Sequence, residues 1–340
     1  NNNYIGVVDQ ANEVLFQKRL PNDLEKVLAV LEPFKKDVEA VVVESTFNWY
    51  WFVDGLMENG YTVRLANPSA IQQYEGLKNV DDKRSALWLA NLLRLGILPV
   101  GYIYPKETRP LRDLLRKRLQ LVRHRSSHIL SVKNIISRSL AMKMRSEDVK
   151  KLDERHVRML FPEERLFLAV NSSVKIIRTL SVEIEGIEEV VVREAKLRKE
   201  FKGLLSLPGI GQILALTIMF EVGDIRRFPK VGDYSSYCRC VASTRSSNGK
   251  KKGEGNRKNG NKYLSWAYVE ATHAAKRFYP IIHGYHQKKM SQTNKAVAVK
   301  AISNKLARAS YYIMRDQAVY DEKKLFGGRV DPKSGVGSQP

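Results

Sequence analysis

Between Lys106 and Arg145 the chain carries twelve Lys or Arg and only two acidic residues. Apolar side chains recur there at Leu111, Leu114, Leu115, Leu119 and Val122, then at Ile129, Val132, Ile135, Ile136 and Leu140. Spacings of three and four put those residues on one stripe of an α-helix, which excludes the two-residue alternation of a strand. The stretch therefore predicts long amphipathic helices with basic outer faces. A second stretch, Leu166–Leu205, mixes Glu and Lys more evenly, and together the two suit an antiparallel helical pair, a coiled-coil region. A basic face can be merely solvated, but ten net positive charges in forty residues also suit contact with nucleic acid.

The bias extends to the whole chain. Across 340 residues, 58 Lys and Arg stand against 36 Asp and Glu, a net +22, with an isoelectric point near 9.8. Such a charge points to a polyanionic partner, nucleic acid before an acidic membrane surface. The length suits two or three domains. Cys238 and Cys240 lie too close for an ordinary bridge and have no zinc-ligand companions, so a reducing, cytoplasmic setting is expected. The apolar run Ile213–Phe220 is too short to span a membrane, and no membrane partner is expected. The chain opens on Asn1-Asn2-Asn3 without an initiator methionine, and a preceding piece is expected.

Ahead of the basic region the pattern alternates. Residues 4–20 read as a β-hairpin around Asp9-Gln10-Ala11-Asn12. Leu24, Val27, Leu28 and Leu31 have helical spacing, and Ala40-Val41-Val42-Val43-Glu44 resembles a buried strand ending in a carboxylate. Residues 47–60 suit a helix and Tyr61–Leu65 another strand, the grammar of an α/β domain with a mixed sheet. The aromatics Phe47, Trp49, Tyr50, Trp51 and Phe52 could stack on bases, although their spacing favours core packing.

Beyond the second helical stretch, Leu207-Pro208-Gly209-Ile210-Gly211 matches the turn of helix-hairpin-helix modules, whose glycines present backbone N–H groups to a phosphate; it also reads as plain turn punctuation. Residues 245–262 carry seven basic residues, one acid and four glycines, too polar for a core: a linker, or a flexible loop gripping nucleic acid. Helical patterns resume at Tyr263–Phe278 and Ala296–Gln317, and Gly327–Pro340 reads as a flexible tail. His283 and His286 have no acidic partner nearby and suit helix-end positions better than a metal site; the two cysteines suit small apolar packing.

Basic proteins that process nucleic acid commonly hold Mg²⁺ on a few converging carboxylates. Glu44, at the carboxyl end of its strand, occupies the place where open α/β sheets put their sites. Asp81 and Asp82 precede a helical segment, where capping and the macrodipole also account for them.

Val43-Glu44-Ser45-Thr46 with Trp49-Tyr50-Trp51, the Asp81-Asp82-x-x-Ser85-Ala86-x-Trp88-Leu89-Ala90 segment, the Leu111–Arg125 helix, and Leu207–Gly211 followed by Glu221-Val222-Gly223-Asp224-Ile225-x-Arg227-Phe228 occur in order over nearly the whole chain. This set resembles the DEDD transposases of the insertion-sequence one-ten family, recombinases guided by a bridge RNA. The resemblance implies an α/β RNase H-like (RuvC-like) domain with a mixed sheet over 1–105, its first strand missing. A basic helical coiled coil over 106–203 and a mainly helical transposase domain over 204–326, with a helix-hairpin-helix-like element and a serine loop, would follow, then the tail.

Carried over residue by residue, Glu44 and Asp82, with Asp81 beside it, become Mg²⁺ ligands. The family's first Asp falls before the chain begins, and its fourth falls on Ser85, so the carboxylate set is depleted. Ser247, or failing that Ser246, becomes the nucleophile. The nucleic-acid contacts implied are Arg112, Arg116, Lys117, Arg123 and Arg125 on the first basic helix, Gly209 and Gly211 at the turn, and Arg245, Lys250, Lys251, Lys252, Arg257 and Lys258 in the loop. The expected function is strand cleavage and rejoining of donor and target DNA by a homo-oligomer, dimer or tetramer, with a structured non-coding RNA as guide. A site-specific invertase without a guide RNA and a non-catalytic nucleic-acid-binding protein are the alternatives.

Overall fold

The computed structural model describes residues 2–46, 48–71, 82–195, 199–241, 244–248, 250–254 and 259–327, at 69, 195, 244–247 and 251–254 as backbone only. Two compact units emerge, one of residues 2–106 together with Asn259 and the other of the described residues from Glu107 onward apart from Asn259.

In the first unit β1 (Asn2–Val8) and β2 (Val14–Pro21) form an antiparallel hairpin. Its turn is fixed where Asp9 accepts a hydrogen bond from the Glu13 amide at 2.8 Å and Asn12 takes a left-handed φ of 69°. Helix α1 (Leu24–Leu31) starts at Asp23, whose carboxylate accepts from the Lys26 amide. Strand β3 (Val41–Glu44), helix α2 (Tyr50–Glu58) and strand β4 (Val63–Ala66) make a parallel crossover unit. Helices α3 (Pro68–Ile71) and α4 (Asp82–Arg94) follow, and β5 (Val100–Gly101) closes the sheet antiparallel to β4.

The α/β character is as the sequence predicts and compatible with an RNase H-like domain. Its described strands form two small sheets, the antiparallel pair β1-β2 and the mixed sheet β3-β4-β5, in which β3 and β4 are parallel and β5 is antiparallel. Val27, Leu31, Val43, Phe52, Val53 and Leu56 build the core, with Trp49 packed against it. Trp51 stays exposed, and Phe47 lies outside the described residues.

The second unit begins with α5 (Arg109–Leu140) and continues through the short α6 (Ser146–Lys151) and α7 (Glu154–Leu160) to α8 (Glu164–Ala195). Arg118 pairs with Glu188, Arg125 with Ser181 and His128 with Ser173, so α8 descends as α5 ascends. The far end of this antiparallel pair has its own core, in which Ile129, Val132, Ile136, Val170, Val174 and Ile177 meet Val149 and Val157 of α6 and α7.

Helices α9 (Lys199–Leu205), α10 (Gln212–Val222) and α11 (Val231–Tyr237) lead into strands β6 (Thr244–Ser247) and β7 (Lys250–Glu254). Then come α12 (Lys262–Phe278), α13 (Pro280–Gln292), α14 (Lys295–Asp316) and α15 (Glu322–Phe326). The main core of this unit joins the base of α5, at Leu115, to α10, α12 and α14 through Leu216, Ile218, Tyr268, Ile302 and Tyr311. The tail, apart from Gly327, lies outside the described residues.

Candidate strand-transfer site and nucleic-acid interface

Glu44 ends β3 beside Ala66 and is half-buried. Asp82 is the first residue of α4 and exposed, where its charge suits the positive end of the helix. Ser85 follows on the first turn, half-buried, and α4 packs against both β1 and β3. Asp81 lies outside the described residues. Among the described residues no three His, Cys, Asp or Glu side chains gather as a metal cage. The donor chemistry of Glu44 and Asp82 nevertheless suits Mg²⁺, a hard cation that keeps several waters and takes one or two carboxylates.

The expected serine loop is a β-hairpin. Ser246 stands opposite Lys251 and Ser247 opposite Lys250, and Asn248 at the turn has φ 51°. Asn at the first central position of a two-residue hairpin turn tolerates such a positive φ. Lys250 is exposed. Arg257 and Lys258 lie outside the described residues, and Arg245, Ser246, Ser247, Lys251 and Lys252 are described by their backbone alone.

The two chain segments leading into and out of this hairpin are stitched together. The Asn261 amide donates to the Tyr237 carbonyl at 2.6 Å, and Arg239 Nη2 donates to the Gly260 carbonyl at 2.9 Å. Gly260 has φ +81°, and a Cβ there would stand 2.5 Å from the Tyr237 oxygen. Only glycine fits so close an approach in that conformation. Cys238 and Cys240, on the incoming segment, are buried free thiols, as their apolar reading predicts. Burial raises both, Cys240 to about 12.

Beneath this neck lies a group that sequence reasoning misses. Glu221, only 2% exposed, is the penultimate residue of the apolar helix α10. Its carboxylate accepts from Arg112 Nε at 3.2 Å, from Arg116 through both Nε and Nη2, and from Asn261 Nδ2 at 2.7 Å. Arg116 also stacks on Tyr263, 4.3 Å from the ring centre. Burial alone would raise the Glu221 pKa, but the Arg116 hydrogen bond, the two guanidinium charges and Asn261 hold it below the ordinary carboxylate value.

Of the five basic residues singled out on α5, three therefore turn inward: Arg112 and Arg116 to Glu221, and Arg125 to Ser181 Oγ at 3.0 Å. The sequence expectation counts all three among the nucleic-acid contacts; in the structure their guanidinium groups are held by partners within the protein. Lys117 and Arg123 remain exposed.

Gly209 also has a structural task. With φ +74°, a Cβ on it would lie 2.1 Å from the Ala271 oxygen and 2.7 Å from the Ala275 nitrogen, so the turn presses against the backbone of α12. Gly211, the N-cap of α10, is exposed with nothing within 4 Å of its Cβ position. His283 is exposed and contacts the Lys276 carbonyl, whereas His286 is buried. Among the described residues no helix is long and apolar enough to cross a membrane.

Two family models match the chain. A DEDD transposase model of the IS110 type, described as transposase, covers residues 2–139, and one described as Transposase IS116/IS110/IS902 family covers residues 202–287. No curated protein is similar enough to count as a match. DEDD transposases act on DNA and typically use divalent metal ions. The two models fall in chain order on the α/β unit with the long helix α5 but for its last residue and on the helices that carry the serine hairpin; the chain belongs to the IS110 family of insertion-sequence transposases.

Proposed function

We propose that this transposase cuts and rejoins DNA through a serine of the β6–β7 hairpin, Ser247 first and Ser246 second. The observation that carries the reading is the register: each serine is paired across a tight Asn-Gly turn with a lysine, Lys250 or Lys251, in a segment that also holds Arg245 and Lys252. The serine Oγ attacks a DNA phosphorus, the Oγ–P bond forms, and the P–O3′ bond breaks. The proton leaves Oγ and a proton is taken up by the departing 3′ oxygen. The product is a transient 5′-phosphoserine link, which strand exchange reverses on a new 3′ end. A hydroxyl is a weak nucleophile at neutral pH, and positive charge from the hairpin lysines favours the more negative transition state.

Glu44 and Asp82, with Asp81, would hold Mg²⁺, which when bound supplies Lewis-acid stabilisation of phosphate oxygens. Lys117 and Arg123 on α5, Lys250 on the hairpin and the exposed start of α10 at Gly211 grip the DNA or RNA backbone. A structured non-coding RNA selects donor and target by base pairing, leaving the protein to read shape and charge. A homo-oligomer completes the sites.

Covalent trapping tests the chemistry. Wild-type protein incubated with end-labelled DNA is expected to give an adduct that survives denaturation, and Ser247→Ala to lose it. An adduct formed at the wild-type rate by the Ser246→Ala/Ser247→Ala double variant would refute the nucleophile. Sequencing of co-purified RNA tests the guide: without one discrete, tightly bound species the protein works as an unguided invertase.

A further inference from the structure

We propose that Glu221, acting through Asn261, is a positioning residue that fixes the neck of the serine hairpin onto the base of the long helix α5. The proposal rests on the assignment of the nucleophile to the hairpin serines, and concerns a side chain distant in sequence from them.

The chain of contacts is continuous. Arg112 and Arg116 are one helical turn apart on α5 and converge on one carboxylate. That carboxylate receives Asn261 Nδ2 at 2.7 Å. Asn261 at the same time caps α12, its Oδ1 accepting from the amides of Tyr263 at 2.8 Å and Leu264 at 3.1 Å. Its own amide closes the neck on Tyr237, next to the Gly260 carbonyl held by Arg239. One asparagine thus uses its backbone and both side-chain polar atoms to tie three things: the exit of the hairpin, the start of α12, and the ion pair rooted in α5.

Such a group is costly to bury for stability alone, since a buried carboxylate with two guanidinium partners loses hydration that its ion pairs only partly return. It does specify direction. Arg116 is a bidentate donor, Oε2 accepts from three groups, and Tyr263 stacks on Arg116, so the carboxylate has little freedom to rotate. A nucleophile must stand within a fraction of an ångström of its phosphorus line of attack, and misplacement of about 1 Å can cost about a hundredfold in rate. A two-stranded hairpin is too small to hold that geometry unaided. The rigid neck supplies what the hairpin lacks, and because α5 carries the exposed Lys117 and Arg123, backbone binding and nucleophile placement share one rigid element.

Asn261→Ser tests this without uncovering the buried charges. A serine still caps α12 but has no second polar atom to reach Glu221. Spin labels are placed at Gln120→Cys on α5 and Lys250→Cys on the hairpin; the native thiols are buried and stay unlabelled in the folded protein. The Gln120–Lys250 distance distribution is expected to be narrow with native Asn261 and broad with Asn261→Ser. In unlabelled protein, Asn261→Ser is expected to lower the rate of covalent adduct formation at saturating DNA at least about tenfold, with DNA affinity changed less than about twofold. Asn261→Gln, which keeps the amide, should recover part of the rate. An unchanged distance distribution, or a broadened one with an unchanged adduct rate, overturns the proposal. The labels report independently of chemistry: retention of the adduct by the double serine variant overturns the serine assignment alone and leaves the distance result standing.

Discussion

Replacing Gly209 by alanine separates two uses of the Leu207–Gly211 turn. The turn either presents its glycines to a phosphate or brings the chain close to α12, and the structure makes the second quantitative for Gly209. At φ +74° an alanine incurs about 1–2 kcal/mol of backbone strain. Its Cβ would also lie 2.1 Å from the Ala271 oxygen and 2.7 Å from the Ala275 nitrogen. Both are backbone atoms of a long helix and cannot swing aside as a side-chain tip would. Relief requires shifting helix against turn, at about 1–3 kcal/mol for overpacking. The expected loss is about 3 kcal/mol, which in a unit of this size lowers Tm by about 6–12 °C. Calorimetry and urea unfolding without DNA measure it. Gly211→Ala is the control: φ is −84°, nothing stands near the Cβ position, and stability should change by less than about 1 kcal/mol. If Gly209→Ala unfolds within about 1 °C of wild type, close packing is not what the glycine is for.

Glu221→Gln should destabilise the second unit by about 3–5 kcal/mol at pH 7, because two guanidinium groups lose the buried carboxylate on which they converge. The wild-type pKa is held below the ordinary value near 4.5, so the stabilisation is complete above that value and is lost as pH falls through the folded-state pKa. Urea midpoints of the two proteins should therefore converge only as pH falls through that lowered folded-state pKa; a gap independent of pH would mean that the carboxylate is not the source. Lys117→Ala and Arg123→Ala should each flatten the log–log salt dependence of DNA binding by about 0.9 for every phosphate they neutralise, measured by fluorescence titration. Arg112→Ala should lower stability and leave that slope intact, and an equal slope change from Arg112 would refute its assignment to the interior.

Sequence periodicity reaches far into this fold because much of it is local. The stripe Leu111 to Leu140 is one helix, the Val41–Glu44 run is a strand, and the Asp9–Asn12 turn closes a hairpin. The β6–β7 hairpin is hidden by composition: lysines and glycines obscure Asn248-Gly249, the one local signal that matters. The two-residue strand β5 and helix α13 carry too little apolar patterning to announce themselves, although Pro280 occupies the first helical position. The Glu221 cluster cannot be read locally, since its partners lie 109, 105 and 40 residues away. Two hints exist. Arg112 lies on the stripe of Leu115 and Leu119, and Glu221 is a lone carboxylate in the apolar run from Ile213 to Val222.

Those hints bear on how a charge excess should be interpreted. A net +22 measures the field that a polyanion meets at a distance, and every cation contributes to it whether it points inward or out. Contact is a different matter, because a phosphate can release its counterions only to cations it can approach. On α5 the inward row, Arg112, Arg116 and Arg125, is held by Glu221 and Ser181, while the outward row includes Lys117 and Arg123. Arg112 and Arg116 join the long helix to Glu221 beneath the neck of the hairpin, Arg125 ties it to α8, and the outward cations are those proposed to meet nucleic acid. One basic run thus divides into two rows, and the helical position of each residue relative to the apolar stripe, more than its charge, decides to which row it belongs.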